Sequence, residues 1–154
     1  MGTLYLSLGT NLGDRRSNLK TALALIGQRI GTIEAASGII ETEPWGYESS
    51  NRFLNMAARV NTELSPQDVL QTAKAIEKEM GRIAKTTKDG YKDRVIDIDL
   101  LIYDNLVMES RELTLPHKLM HKRRFVLDPL AEIAPDLEHP ILHKTIRQIA
   151  DELE

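Results

Sequence analysis

A chain of 154 residues is long enough for one domain that buries roughly 68–70% of its unfolded surface in a single core, and too short for a second. The net charge of −3 gives no global electrostatic reason to expect nucleic acid or an anionic membrane as a partner, and a chain without cysteine has neither disulfides nor thiolate metal sites. The first residues lack the pattern of a signal peptide and no stretch approaches the ~18 apolar residues of a spanning helix, so a soluble cytoplasmic protein is expected.

Residues 3–8 alternate Leu4, Leu6 and Leu8 against Thr3, Tyr5 and Ser7, the pattern of a strand. Gly9-Thr-Asn-Leu-Gly13 then supplies turn residues, with Asp14 as N-cap of a helix whose apolar stripe is Leu19, Leu23, Ile26 and Ile30. A glycine-rich turn ahead of a helix can cradle phosphate, but this spacing is neither a dinucleotide fingerprint nor a Walker loop. Residues 32–43 are β-compatible and predict one strand, broken by Pro44, Trp45 and Gly46; residues 53–62 predict the next. Phe53 and Asn55 stand at i and i+2, hence on one strand face. A ring beside an amide suits a flat heteroaromatic ligand, although a core Phe and a strand-end Asn fit the same residues.

Ser65, Pro66 and Asp68 open a second helix, with Val69, Ala73, Ile76 and Met80 inward and Gly81 at its end. Glu77 lies at the margin of that stripe, where a solvated charge is the ordinary reading. The aperiodic loop that follows carries Arg82, Lys85, Lys88, Lys92 and Arg94 against Asp89 and Asp93, a composition suited to closing on a polyphosphate.

Residues 94–103 are the most informative stretch. Period-2 alternation predicts a strand with Ile96, Ile98, Leu100 and Ile102 on the core face and Asp97, Asp99, Leu101 and Tyr103 on the other. Two carboxylates ~6.6 Å apart by strand rise repel by about 2.5 kcal/mol at an effective dielectric near 20. A divalent cation shared with a phosphate resolves that repulsion; the alternative is an edge strand whose charges discourage aggregation. Residues 106–108 are expected to return as the other arm of a hairpin. His117, Lys118, His121, Lys122, Arg123 and Arg124 fall within eight residues and suit phosphate recognition on a small ligand better than a nucleic-acid patch. Short helices over 125–133 and 145–153 complete the chain. The order β-α-β-β-α-β predicts a ferredoxin-like α+β fold with an antiparallel sheet, plus additional C-terminal helical segments.

Taken together, Gly9-Thr-Asn11-Leu-Gly13, Thr42-Glu-Pro44-Trp-Gly46, Phe53-Leu-Asn55, Glu77 with Gly81 and Arg82, Arg94-Val-Ile-Asp97-Ile-Asp99, and Leu115-Pro116-His117 with Arg123 and Phe125 resemble the 6-hydroxymethyl-7,8-dihydropterin pyrophosphokinases of folate biosynthesis. The resemblance runs to about Pro135 and implies a single pyrophosphokinase domain over 1–154, acting as a monomer. It implies transfer of the β,γ-diphosphate of ATP to the pterin's hydroxymethyl oxygen, with release of AMP and the help of two Mg²⁺ ions. By the same resemblance Asp97 and Asp99 hold the metals, and Arg82 and Arg94 neutralise charge as the diphosphate moves. Glu77, Thr114, His117, Arg123 and the Leu100 backbone contact ATP. Phe53 and Phe125 clamp the pterin, Asn55 and the Thr42 backbone read its amide edge, and Pro44 and Trp45 belong to the same pocket. The chain departs from the family pattern at Ala84 and Glu112, where cations are frequent; Lys85, Arg111 and Lys118 are the candidates to replace them.

Overall fold

β1 (Gly2–Thr10) runs two residues beyond the alternating leucines and ends in a turn at Gly13, whose φ of +71° favours glycine. Asp14 caps α1 (Arg15–Arg29) by accepting the Ser17 N–H at 3.2 Å, and Leu19, Ala22 and Ile26 are its buried residues. The structure, a computed structural model, describes residues 1–43, 52–81 and 94–153.

The strand expected over 32–43 is two strands, β2 (Gly31–Ala36) and β3 (Ile40–Thr42), both antiparallel to β4 (Phe53–Thr62). Ser37 makes the break. Its N–H donates to Ala57 O at 2.9 Å while its Oγ accepts the Ala57 N–H at 2.8 Å, so a side chain takes the place of a ladder carbonyl. α2 (Pro66–Gly81) buries Val69, Ala73, Ile76 and Met80, the stripe its spacing predicts. β5 (Asp97–Tyr103) completes a sheet of order β2-β4-β1-β5, with β3 beside β4 and every pair antiparallel. With β2 and β3 taken as one broken edge, this is the expected ferredoxin-like α+β arrangement.

The hairpin expected after β5 does not form. β6 (Met108–Glu109) pairs instead with β7 (Thr114–Leu115) in a separate small sheet. Asp104, at φ +50°, extends the β1–β5 contact by bonding Thr3 twice at 2.8 Å, N–H to carbonyl one way and N–H to Oδ1 the other, while on the outer edge, where a return strand would pair, the His117 N–H donates to the Leu101 carbonyl. A 3₁₀ turn over Met120–Lys122 leads to α3 (Arg124–Ile133), and a Thr145–Gln148 capping box opens α4 (Ile146–Glu152).

The sheet's two faces meet different partners. Leu4, Leu6, Leu8, Ile98 and Leu100 pack with α1 and α2, whereas Tyr5, Ala57, Leu101 and Ile102 pack with Met120 and with Leu127, Leu130 and Ile149 of α3 and α4. The strict alternation expected through β5 therefore fails at its end. Leu6 opposes Leu100 but Tyr5 opposes Ile102, so Leu101 is an extra, bulged residue. The bulge turns Ile102 away from Ile98 and Leu100, and sends Tyr103 to their side, where its hydroxyl donates to Leu64 O at 2.6 Å.

The close approach of β2 to β4 rests on Gly31, where a Cβ would collide with the Asn61 carbonyl; at exposed Gly27 of α1 it would meet only Ile33 Cδ1, at 3.9 Å. Gly27→Ala is expected to stabilise the protein by about 0.5–1 kcal/mol through helix propensity, and Gly31→Ala to destabilise it. Urea denaturation checks both, and a Gly31→Ala protein as stable as the parent would contradict the β2–β4 spacing.

Candidate active site

Gly9 organises the site because it pairs on both sides. It opposes Asn55 of β4 and Asp97 of β5, and directly opposed residues share a face, so Asn55, Gly9 and Asp97 stand in one row. Two inter-strand spacings put the ends of that row roughly 10 Å apart. A Cβ at Gly9 would lie 3.1 Å from Asn55 Oδ1 and 3.5 Å from the Phe53 ring, so the missing side chain is the room those groups occupy. Asn55, only 3% exposed, donates from Nδ2 to Thr42 Oγ1 at 2.7 Å, and Thr42 is the residue opposite Phe53. Thr42, Phe53 and Asn55, expected together from the sequence, are together. Pro44 and Trp45 lie outside the described residues.

Asp97 and Asp99 are half-buried on β5, which is an edge strand of the sheet. They do not simply face solvent. Burial, then repulsion from Asp97, pushes the Asp99 carboxyl up to about 7, and the positive charges of Arg123 and Arg94 draw it back. Glu77 comes in from α2, and its Oε2 accepts the Ile98 N–H at 2.8 Å. Burial raises its carboxyl to about 7; the Ile98 bond opposes that rise, while Asp97 and Asp99 add to it. The margin glutamate is thus a partly buried group fastening α2 to the strand that bears the aspartates.

Among the described residues no three His, Asp or Glu converge as a metal-ligand set. A carboxylate pair is nevertheless the donor set that suits Mg²⁺, which is held by one or two carboxylates with substrate phosphates and water supplying the rest. The mutual repulsion that raises Asp99 is what a bound dication relieves.

A cleft of about 480 Å³ follows the outer edge of β5, lined among others by Leu70, Asp99, Leu100, Thr114 and His117. The Ile98 N–H points off the sheet to Glu77, so Leu100, two residues on, presents its N–H and C=O to the same edge. His117 is tied down twice: its N–H donates to Leu101 O at 2.8 Å and its Nδ1 accepts the Leu119 N–H at 3.1 Å. Burial and the charge of Arg123 lower its pKa, so His117 is neutral with its proton on Nε2, an uncharged donor. Arg123 places its guanidinium 5.6 Å from the centroid of the Phe125 ring at the start of α3. Glu77 and Arg123 border the Asp97–Asp99 end rather than line the cleft. Arg111 and Lys118, two of the three cations suggested as replacements, do line it, together with Glu112. Arg82, Lys85 and the rest of the 82–93 loop lie outside the described residues.

Sequence reasoning missed the work of Thr10 and Asn11. The turn after β1, considered only as a phosphate cradle, grips the backbone of Arg94: Asn11 N–H donates to Arg94 O at 2.9 Å and Asn11 Oδ1 accepts the Arg94 N–H at 2.6 Å. Turn composition signals a side-chain acceptor there, but nothing local names a partner so distant in sequence.

A half-buried carboxylate pair on a sheet edge beside an open cleft is an arrangement suited to phosphoryl transfer, and the comparisons with known proteins specify an ATP-dependent diphosphotransferase. The family described as 7,8-dihydro-6-hydroxymethylpterin-pyrophosphokinase (HPPK) matches residues 5–135. A 2-amino-4-hydroxy-6-hydroxymethyldihydropteridine pyrophosphokinase of Porphyromonas gingivalis is 48% identical over 141 residues, covering 91% of this chain and 95% of that one. Its counterpart in Aquifex aeolicus is 38% identical over 154 residues, covering 99% and 92%. The crystal structure of Plasmodium falciparum HPPK-DHPS wild type with pteroate matches with a TM-score of 0.80 at 18% identity, over 98% of this chain and 44% of that one. This last likeness concerns the fold alone, and the chain spans less than half of that protein. The chain belongs to the 7,8-dihydro-6-hydroxymethylpterin-pyrophosphokinase family. Its activity is that of the pyrophosphokinase of folate biosynthesis, transferring the β,γ-diphosphate of ATP to the hydroxymethyl group of 6-hydroxymethyl-7,8-dihydropterin.

The raised Asp99 carboxyl has a definite sign. Folding favours its protonated form, so its contribution to stability is complete below the ordinary carboxylate value of 3.8 and is lost as pH rises through about 7. Asp99→Asn is therefore expected to raise the melting temperature of metal-free protein more at pH 8 than at pH 5. Equal changes at both pH values would mean that Asp99 is solvated.

Proposed function

We propose that the pterin and the triphosphate meet across Gly9, with the pterin along β4 and the diphosphate carried on β5. The row Asn55–Gly9–Asp97 is the observation that carries this reading: a buried amide suited to the edge of a pterin and a carboxylate suited to a metal–phosphate group stand on the two strands that flank β1, with only the side-chain-free Gly9 between them. Phe53 stacks on one face of the ring and Phe125 on the other, Asn55 and Thr42 read the amide edge, and Pro44 and Trp45 complete the pocket.

The cleft along β5 takes the nucleotide. The Leu100 backbone edge and Thr114 bind the adenosine end, and the His117 Nε2–H and Arg123 hold the phosphates, with Glu77 fixing the strand that positions them. Two Mg²⁺ ions on Asp97 and Asp99 would neutralise the triphosphate and polarise its phosphoryl oxygens when bound. The substrate hydroxymethyl oxygen attacks the β-phosphorus, and the bond from that phosphorus to the α,β-bridging oxygen breaks. AMP departs with the bridging oxygen, and the hydroxyl proton is released. Arg94, with Arg82, balances the charge that shifts toward the leaving AMP. Transfer of this kind needs alignment and charge neutralisation more than covalent help from the protein. We further propose that residues 1–154 form a single domain working as a cytoplasmic monomer; no described helix is long and apolar enough to cross a membrane.

Purified protein should release AMP from MgATP only when the hydroxymethylpterin is present, and Asp97→Ala should reduce this by about a thousandfold or more while the protein still melts cooperatively. Retained Mg²⁺-dependent AMP release in Asp97→Ala would remove the metal assignment. Calorimetric titration addresses the pocket. Asn55→Ala should weaken pterin binding by roughly 1–3 kcal/mol through the lost, desolvated hydrogen bonds, with ATP affinity unchanged. Unaltered pterin affinity would take the pterin off β4.

A further inference from the structure

We infer that Asn11 is a positioning residue for diphosphate transfer, acting through Arg94. The inference rests on the assignment of Arg94 made above and adds what fixes it in place. β1 leaves the sheet after Thr10 to enter the Gly13 turn, and the ladder with β5 ends at the Gly9–Asp97 pair. Arg94 lies ahead of β5, and its N–H and C=O both turn toward the end of β1, at a point where that strand has left the sheet and offers no ladder carbonyl. The Asn11 side chain fills that place, accepting the Arg94 N–H at 2.6 Å, while the Asn11 N–H donates to Arg94 O at 2.9 Å. Both backbone groups of Arg94 are thus held by one residue, 83 positions away in sequence.

The clasp is itself rigid. Asn11 is 2% exposed and Thr10 fully buried, and Asn18 of α1 donates from Nδ2 to Thr10 Oγ1 at 3.2 Å and to Leu12 O at 2.7 Å. Thr10 Oγ1 adds a long contact of 3.5 Å to Arg94 O. Buried bonds of this kind hold the Arg94 Cα against the end of β1, three residues ahead of Asp97. The exposed Arg94 side chain then pivots from a fixed point, and its charge reaches the Asp99 carboxyl. Aligning a cation with charge that develops during transfer is a demand on position, so loosening its base should lower the chemical step more than ground-state binding.

The test measures kcat and the separate affinities for MgATP and pterin in four proteins: wild type, Asn11→Ala, Arg94→Ala and the double variant. Asn11→Ala is expected to lower kcat about tenfold, the consequence of an Arg94 N–H left without its acceptor, with both affinities within about twofold of wild type. In the Arg94→Ala background the same change should cost no more than about twofold, because the residue it acts through is gone. Asn11→Asp, which keeps an oxygen in place, should restore most of kcat. If Asn11→Ala does not fold, Asn11→Ser replaces it with the same expectations, since a serine hydroxyl is too short to reach the Arg94 N–H. Multiplying losses in the double variant, or a kcat unchanged by Asn11→Ala while Arg94→Ala lowers it, would overturn the inference and leave the assignment of Arg94 standing. A kcat unaffected by Arg94→Ala would instead refute that assignment, and the proposed route with it.

Discussion

Two like charges two residues apart on one strand face, half-buried and beside a third carboxylate, are the constraint on which this molecule turns. Such a cluster is unfavourable on its own, and burial makes it more so, as the elevated Asp99 and Glu77 carboxyls record. β5 can carry it because the strand is gripped from several directions. β1 pairs with it along its length, Glu77 takes the Ile98 N–H, His117 takes the Leu101 carbonyl, and Asn11 holds Arg94 just ahead of it. Arg94 and Arg123 supply opposing charge. Local electrostatic strain held by surrounding hydrogen bonds is what the proposed site for a polyanion and its cations would require before they arrive.

The division of the sheet into two faces follows from the same strand. One face is committed to α1 and α2 and is largely apolar; the other meets α3 and α4 over Tyr5, Ala57, Leu101 and Ile102, and continues as Ser7, Gly9, Asn55, Asp97 and Asp99. The bulge at Leu101 lies at the border, changing which residues point to which side within the span of a few ångströms. Chemistry can be placed on a sheet of this kind without weakening it, because the packed face and the far end of the other supply the burial.

An edge strand is ordinarily a hazard, since its unpaired N–H and C=O groups invite another chain. Here the edge of β5 is capped by Glu77 and His117 where it is not lining the cleft, and the small β6–β7 sheet stands beside it rather than extending it. The unpaired backbone that remains at Leu100 lies inside that cleft, where the proposed nucleotide would meet it.

Local patterning carried much of this molecule. The caps at Asp14 and Ser65, the stripe Val69, Ala73, Ile76 and Met80, and the Asp97–Asp99 pair follow from neighbours along the chain, so the βαββαβ order, the carboxylates and the resemblance to the pyrophosphokinase family could be read from sequence alone. Tertiary structure alone decided the rest. Ser37 splits an apparently single strand by bonding to Ala57 twenty residues on, the Leu101 bulge depends on how β1 lies against β5, and His117 takes the Leu101 carbonyl on the edge where the expected hairpin would pair. Glu77 read as a solvated charge and Asn11 as a turn residue, because hydrogen bonds to Ile98 and Arg94 leave no periodic signal at the donor or the acceptor. Periodicity reports which way a side chain faces; only the folded chain brings to it the group it meets.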